Sequence, residues 1–189
     1  ELPSASERFR QARLIAECFG ARGYELIGID HFARVDDPLA QAARHGRLHR
    51  DFQGYTDDPC QTLLGFGASA ISHLPGGYVQ NESAIGTYRE RIDAGQLCAR
   101  RGHPITADDR ERASIIERLM CDFRADLGDP SGRFADEFAL LRAFAADGIV
   151  ELGAGSVAVT QRGQPFARLV AAVFDRFRVD AGGGFSCAV

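Results

Sequence analysis

The sequence predicts an α/β region over residues 1–101, followed over residues 102–189 by a mainly helical, winged-helix-like region with a β-hairpin. Three observations carry that expectation. First, an amphipathic helical pattern leads directly into a short apolar run with a polar end, which is half of an α/β unit. Second, the stretch RGHPIT interrupts the periodicity near residue 102. Third, the order beyond it is helix, helix, hairpin, helix, the order of a winged-helix unit.

The elements follow in turn. In SERFRQARLIAECFGARG, Phe9, Leu14, Ile15 and Phe19 fall near one helix face, with Ser4 or Ser6 as N-cap and Gly20 or Gly23 as stop. YELIGIDHF reads as a buried parallel strand with Asp30 and His31 at its end. One or two helical turns fit around Leu39–Arg44, and GRLHRDFQGYT, residues 46–56, reads as irregular. TLLGFGASAISHL, residues 62–74, is a strand-and-turn candidate in which Gly65 and Gly67 permit close backbone approach. NESAIGTYRERIDAG predicts a helix capped by Asn81 and ending near Gly95. Thr106 with Asp109 resembles a capping box, with Asp in place of Glu or Gln, opening a helix over 107–124 that GDPSG breaks. RFADEFALLRAFAADG predicts a helix with Phe134, Phe138, Leu141 and Phe144 or Ala145 inward. IVELGAGSVAVT predicts a hairpin around Gly-Ala-Gly, and QPFARLVAAVFDRFR a closing helix.

Composition narrows the function. The 189 residues are 45% hydrophobic and 25% charged, with a net charge of −4, so no basic field recruits nucleic acid. A winged helix invites a DNA-binding reading, but Asp136, Glu137 and Asp147 outnumber Arg142 in the helix before the wing and would repel phosphates. No apolar run spans a membrane and no signal-peptide pattern opens the chain, so a cytoplasmic protein is expected. All 22 basic residues are Arg; GC-rich coding suffices to explain this, although the guanidinium fork suits carboxylates. Cys18, Cys60, Cys98, Cys121 and Cys187 are widely spaced, which leaves no sequence-local zinc or iron–sulfur cradle and suggests reduced thiols. His45, His73 and His103 lack metal-ligand spacing.

Three motifs, IGIDHFAR ending at Arg34, GRLHRDFQGYT (46–56) and LLGFGASAIS (63–72), change the question. In order and separation they resemble the oxygen-independent coproporphyrinogen III oxidases, radical S-adenosylmethionine enzymes of bacterial haem biosynthesis. The resemblance runs over essentially the whole chain, and HRDFQGYT is the motif not expected in the related haem chaperones. It implies the last part of an incomplete (β/α) barrel followed by the helical region, with the chemistry at the C-terminal ends of the strands. It also implies a [4Fe–4S] cluster on a C-x-x-x-C-x-x-C loop and two S-adenosylmethionines. The radical formed abstracts hydrogen from a propionate, and loss of carbon dioxide leaves a vinyl group. Two such rounds convert coproporphyrinogen III to protoporphyrinogen IX.

The motif match implies that Phe52 and Gln53 contact the second S-adenosylmethionine and Ile71 the first. Outside the motif, Phe52 would read as core, Gln53 as a loop tie and Ile71 as strand packing. Asp30, His31, Arg34, Arg47 and Arg50 are substrate-lining candidates read from residue type, because Arg forks suit propionates. The cluster loop is absent, so its cysteines are expected upstream. The chain then corresponds to about the last two-fifths of such an enzyme, holds no catalytic residue of its own and is inactive alone. Barrel strands cut from their neighbours expose edges, so self-association is expected. The alternatives are a haem-trafficking relative of the same family and a winged-helix binding module.

Overall fold

The computed structural model describes residues 3–129 and 131–177; Pro130, Arg178 and Cys187 lie outside the described residues. The described residues form two compact units, one of those up to Asp57 with those from Arg112 onward, the other Asp58–Glu111. The architecture is mixed α/β with open sheets, then a helical region bearing a β-hairpin, as the sequence predicts. Every strand pair among the described residues is antiparallel.

The first unit opens with α1 (Ala5–Gly20), capped by Ser4, whose hydroxyl accepts from the Glu7 amide at 3.2 Å. Phe19 fixes the end of this helix by stacking on Phe32 at 4.7 Å. The run YELIGIDHF is not one parallel strand. It is an antiparallel hairpin, β1 (Tyr24–Ile27) against β2 (His31–Arg34), because Gly28 adopts φ +59° and turns the chain. Next comes α2 (Pro38–Arg44), with Asp37 accepting from the Leu39 amide at 2.8 Å and Pro38 at its first position. The segment expected to be irregular holds a short hairpin, β3 (His49–Arg50) with β4 (Tyr55–Thr56).

The second unit is a three-stranded sheet of β5 (Ile71–Leu74), β6 (Gly77–Asn81) and β7 (Ala99–Pro104), with β6 central, joined by α3 (Ile85–Asp93). Asn81 does not cap α3. It ends β6, and its amide donates to the Gly65 and Gly67 carbonyls at 3.1 and 3.0 Å. No side chain caps α3; just ahead of it the Glu82 carboxylate accepts the Ser83 and Ala84 amides.

Between Thr106 and Asp109 the capping box forms as expected. The Asp109 amide donates to the Thr106 hydroxyl at 3.2 Å, and Asp109 Oδ2 accepts the Thr106 amide at 2.8 Å. It opens α4 (Ala107–Cys121), three residues shorter than the predicted 107–124 because Phe123 turns at φ +58° into β8 (Arg124–Asp126). Thr106→Ala is expected to cost about 1 kcal/mol in urea unfolding, and Thr106→Ser much less; equal losses would show that the hydroxyl is not the cause.

The chain continues through α5 (Ala135–Ala146), β9 (Val150–Leu152) and β10 (Ser156–Val159) to α6 (Ala167–Ala171). Strand β10 lies between β8 and β9. The closing helix is broken rather than continuous, with 3-10 turns at Gln164–Phe166 and Ala172–Phe174 flanking α6. Pro165 is the second residue of the first of these turns, where its missing N–H costs no internal hydrogen bond. The main core joins Leu119, Phe134, Phe138, Leu141, Val157, Val170 and Phe174, all buried. A smaller cluster of Ile27, Ala33, Ala40, Leu48, Tyr55 and Cys121 lies under the two hairpins. No helix among the described residues is long and apolar enough to cross a membrane.

Candidate functional site

The tip of the β3–β4 hairpin is a rigid turn that displays two side chains. The Asp51 amide donates to the Gly54 carbonyl at 3.0 Å, and the Asp51 carboxylate accepts the amides of Gln53 at 2.7 Å and Gly54 at 3.1 Å. Gly54 sits at φ +145°, and a Cβ there would lie 2.8 Å from His31 Nε2, so only glycine lets the turn rest on the imidazole. Phe52 is 57% exposed, which removes the core reading. Gln53 is exposed too, and its side-chain amide has no partner among the described residues.

Tyr55 ties this turn to the rest of the unit. Its hydroxyl donates to the Met120 carbonyl at 3.0 Å and accepts the Ile29 amide at 3.2 Å. Its ring meets His31 edge-on at 5.0 Å and lies under the Arg50 guanidinium at 5.4 Å. Burial pushes its phenol above the ordinary value, so it stays a hydroxyl and keeps donating. Beneath it, burial raises the Cys121 thiol to about 12, with the Glu117 carboxylate adding to the shift; that sulfur is packing, not a nucleophile.

Of the candidates read from residue type, Asp30, His31 and Arg50 come together around Tyr55. Asp30 Oδ1 lies 2.8 Å from His31 Nδ1, and its Oδ2 is 3.7 Å from Arg168 Nη2. The neighbouring His49 ring faces Glu117 at 3.1 Å, and Arg118 donates to the Leu48 carbonyl at 2.8 Å, which fixes the base of the hairpin. Arg34 is at the far end of β2, 3.3 Å from Asp36, and Arg47 is exposed before β3. Ile71 belongs to the second unit, half-buried in β5 opposite Gln80.

Residue type does not single out Tyr55, Glu117, Gly28 or Gly54, although Gly28, Gly54 and Tyr55 all lie within the sequence motifs. Elsewhere in the first unit, an open depression of about 460 Å³ lies between β1, the end of α2 and residues 121–124. Among the described residues no three His, Cys, Asp or Glu side chains gather as a metal site, and Cys18 and Cys60 are exposed while Cys98 and Cys121 are buried. These residues do not fit an iron–sulfur cluster. Phe52 and Gln53 do suit S-adenosylmethionine: an aromatic face for its adenine or sulfonium, and an amide offering both donor and acceptor.

No family model matches the chain. The chain is 48% identical over 181 residues to the oxygen-independent coproporphyrinogen III oxidase of Bradyrhizobium diazoefficiens, covering 92% of this chain and 40% of that protein. It is 42% identical over 183 residues to the protein of the same name from Cereibacter sphaeroides, covering 93% and 40%. Among solved structures it matches coproporphyrinogen III oxidase from Escherichia coli, described as a radical SAM enzyme, with a TM-score of 0.86 and 36% identity over 93% of this chain and 42% of that one. It thus spans about two-fifths of the length of these relatives. Sequence identity and backbone agree over nearly all of these residues, and the chain belongs to the family of the oxygen-independent coproporphyrinogen III oxidases.

Proposed function

We propose that these residues form a ligand-bearing part of an enzyme that oxidatively decarboxylates two propionates of coproporphyrinogen III to vinyl groups, giving protoporphyrinogen IX. In this reading Phe52 and Gln53 contact one S-adenosylmethionine and Ile71 another. Asp30, His31, Arg34, Arg47 and Arg50 line the way of the acidic substrate. The observation that supports it most is the hairpin tip, where Asp51, Gly54 and Tyr55 hold the backbone while Phe52 and Gln53 are exposed.

S-adenosylmethionine supplies the radical chemistry when bound; the residues at the tip hold and orient it and exclude water. The iron–sulfur cluster is assigned to residues other than these, so the 189 residues alone do not turn over the substrate. The test is S-adenosylmethionine binding by the complete oxidase. Phe52→Ala and Gln53→Ala are each expected to weaken it by about 5- to 30-fold, with Phe52→Tyr close to the wild type. Affinities within about twofold of wild type for both alanine variants would remove the assignment.

A further inference from the structure

One face of the second unit's sheet is suited to an anion. The strand register sets Ile71, Gln80 and Arg101 in one cross-strand row and His73, Tyr78 and His103 in the next. Directly paired residues share a face, so these six side chains look the same way. They comprise a guanidinium, two imidazoles, a phenol, an amide and one aliphatic group, with no carboxylate. The His73 ring stacks on Tyr78 at 4.6 Å, which closes the second row into an aromatic shelf.

Arg101 is oriented rather than neutralised. Its Nε donates to Gln80 Oε1 at 2.7 Å, and Gln80 Nε2 donates in turn to the Ser69 carbonyl at 3.0 Å. That relay fixes the guanidinium plane through one nitrogen, and the two terminal amino groups have no partner among the described residues. The neighbouring Arg100 shows the ordinary alternative: it pairs with the Glu82 carboxylate at 2.8 Å. A guanidinium held by a neutral amide keeps its full charge and presents its fork.

We infer that Arg101, oriented by Gln80, binds a carboxylate of the small-molecule ligand that lies against Ile71. The inference rests on the functional reading above and names the group that this face recognises. Two sources carry that group: the methionine carboxylate of S-adenosylmethionine and a propionate of the porphyrinogen.

The test uses the complete oxidase with Arg101→Gln, Arg101→Lys and Gln80→Ala. It measures the affinity of each for S-adenosylmethionine, for coproporphyrin III as a stable tetracarboxylate, and for the tetramethyl ester of that porphyrin. Arg101→Gln is expected to weaken one of the two acids by about 10- to 100-fold. Arg101→Lys keeps the charge without the fork and recovers part of that loss, and Gln80→Ala loses less than Arg101→Gln. A loss seen with coproporphyrin III and absent with its ester assigns the carboxylate to the propionate; a loss confined to S-adenosylmethionine assigns it to the methionine group. Unchanged affinity for both acids overturns the inference and leaves the functional reading standing. A wild-type enzyme that binds neither ligand overturns both.

Discussion

Replacing Phe134 with alanine is expected to lower the stability of the chain by about 3–5 kcal/mol, a large share of what a domain of this kind has. Phe134 is 2% exposed, and its ring meets Phe174 edge-on at 5.8 Å. The Arg112 guanidinium lies 5.3 Å from the ring centre while it bonds Glu137 at 2.7 Å and the Phe174 carbonyl at 3.3 Å. Truncation therefore removes more than apolar area. It opens a cavity where α5 begins and uncovers a mostly buried ion pair, so little of the void can be refilled by local collapse. Leu140→Ala on the same helix provides the contrast, because Leu140 is 59% exposed and its loss should stay within about 0.5 kcal/mol. Urea unfolding followed by circular dichroism reads both. A Phe134→Ala loss under about 1 kcal/mol would mean that this ring is not part of the core that holds the unit together.

What could be read from the sequence divides along the range of the interactions. Helix α5, the Thr106–Asp109 box and the β9–β10 hairpin are set by neighbours within a few residues, so periodicity and cap chemistry found them. The failures lie where a distant partner decides. YELIGIDHF looks like one strand because Leu26, Ile27 and Ile29 run together on either side of Gly28, and a glycine by itself does not distinguish a turn from a strand interior. The bond that stabilises the turned form comes from Tyr55, 26 residues beyond Ile29. Asn81 has the chemistry of a cap, but β-sheet register places it beside Gly65 and Gly67, where its amide has two carbonyls to satisfy. The candidate site follows the same division. Phe52 and Gln53 are candidates on the strength of the motif around them. The supports that aim them, Tyr55 reaching Met120 and Gly54 under His31, became visible only with the fold.

Gly28→Ala should be the most damaging single methyl group that can be added near the site, at about 3 kcal/mol. Two penalties combine. At φ +59° a Cβ strains the backbone by itself, by about 1–2 kcal/mol. The added carbon would also fall on the Tyr55 ring and hydroxyl, so the ring must leave and its bonds to the Ile29 amide and Met120 carbonyl must lengthen or break. The two causes separate in a double-mutant cycle with Tyr55→Ala. Tyr55→Ala is destabilising alone, but it removes the ring that the new methyl group meets. Added to that background, Gly28→Ala should cost only the backbone term of about 1–2 kcal/mol. An undiminished cost would place the whole effect in the backbone and take Tyr55 out of the account. If the ring is the obstacle, the consequence reaches the hairpin tip as well. Residues 51–54 join Tyr55 directly, so a displaced ring releases the turn that carries Phe52 and Gln53. Under the proposed function, Gly28→Ala should then weaken S-adenosylmethionine binding by the complete protein even at temperatures where it remains folded, although Gly28 lies outside the set of residues proposed to touch that ligand.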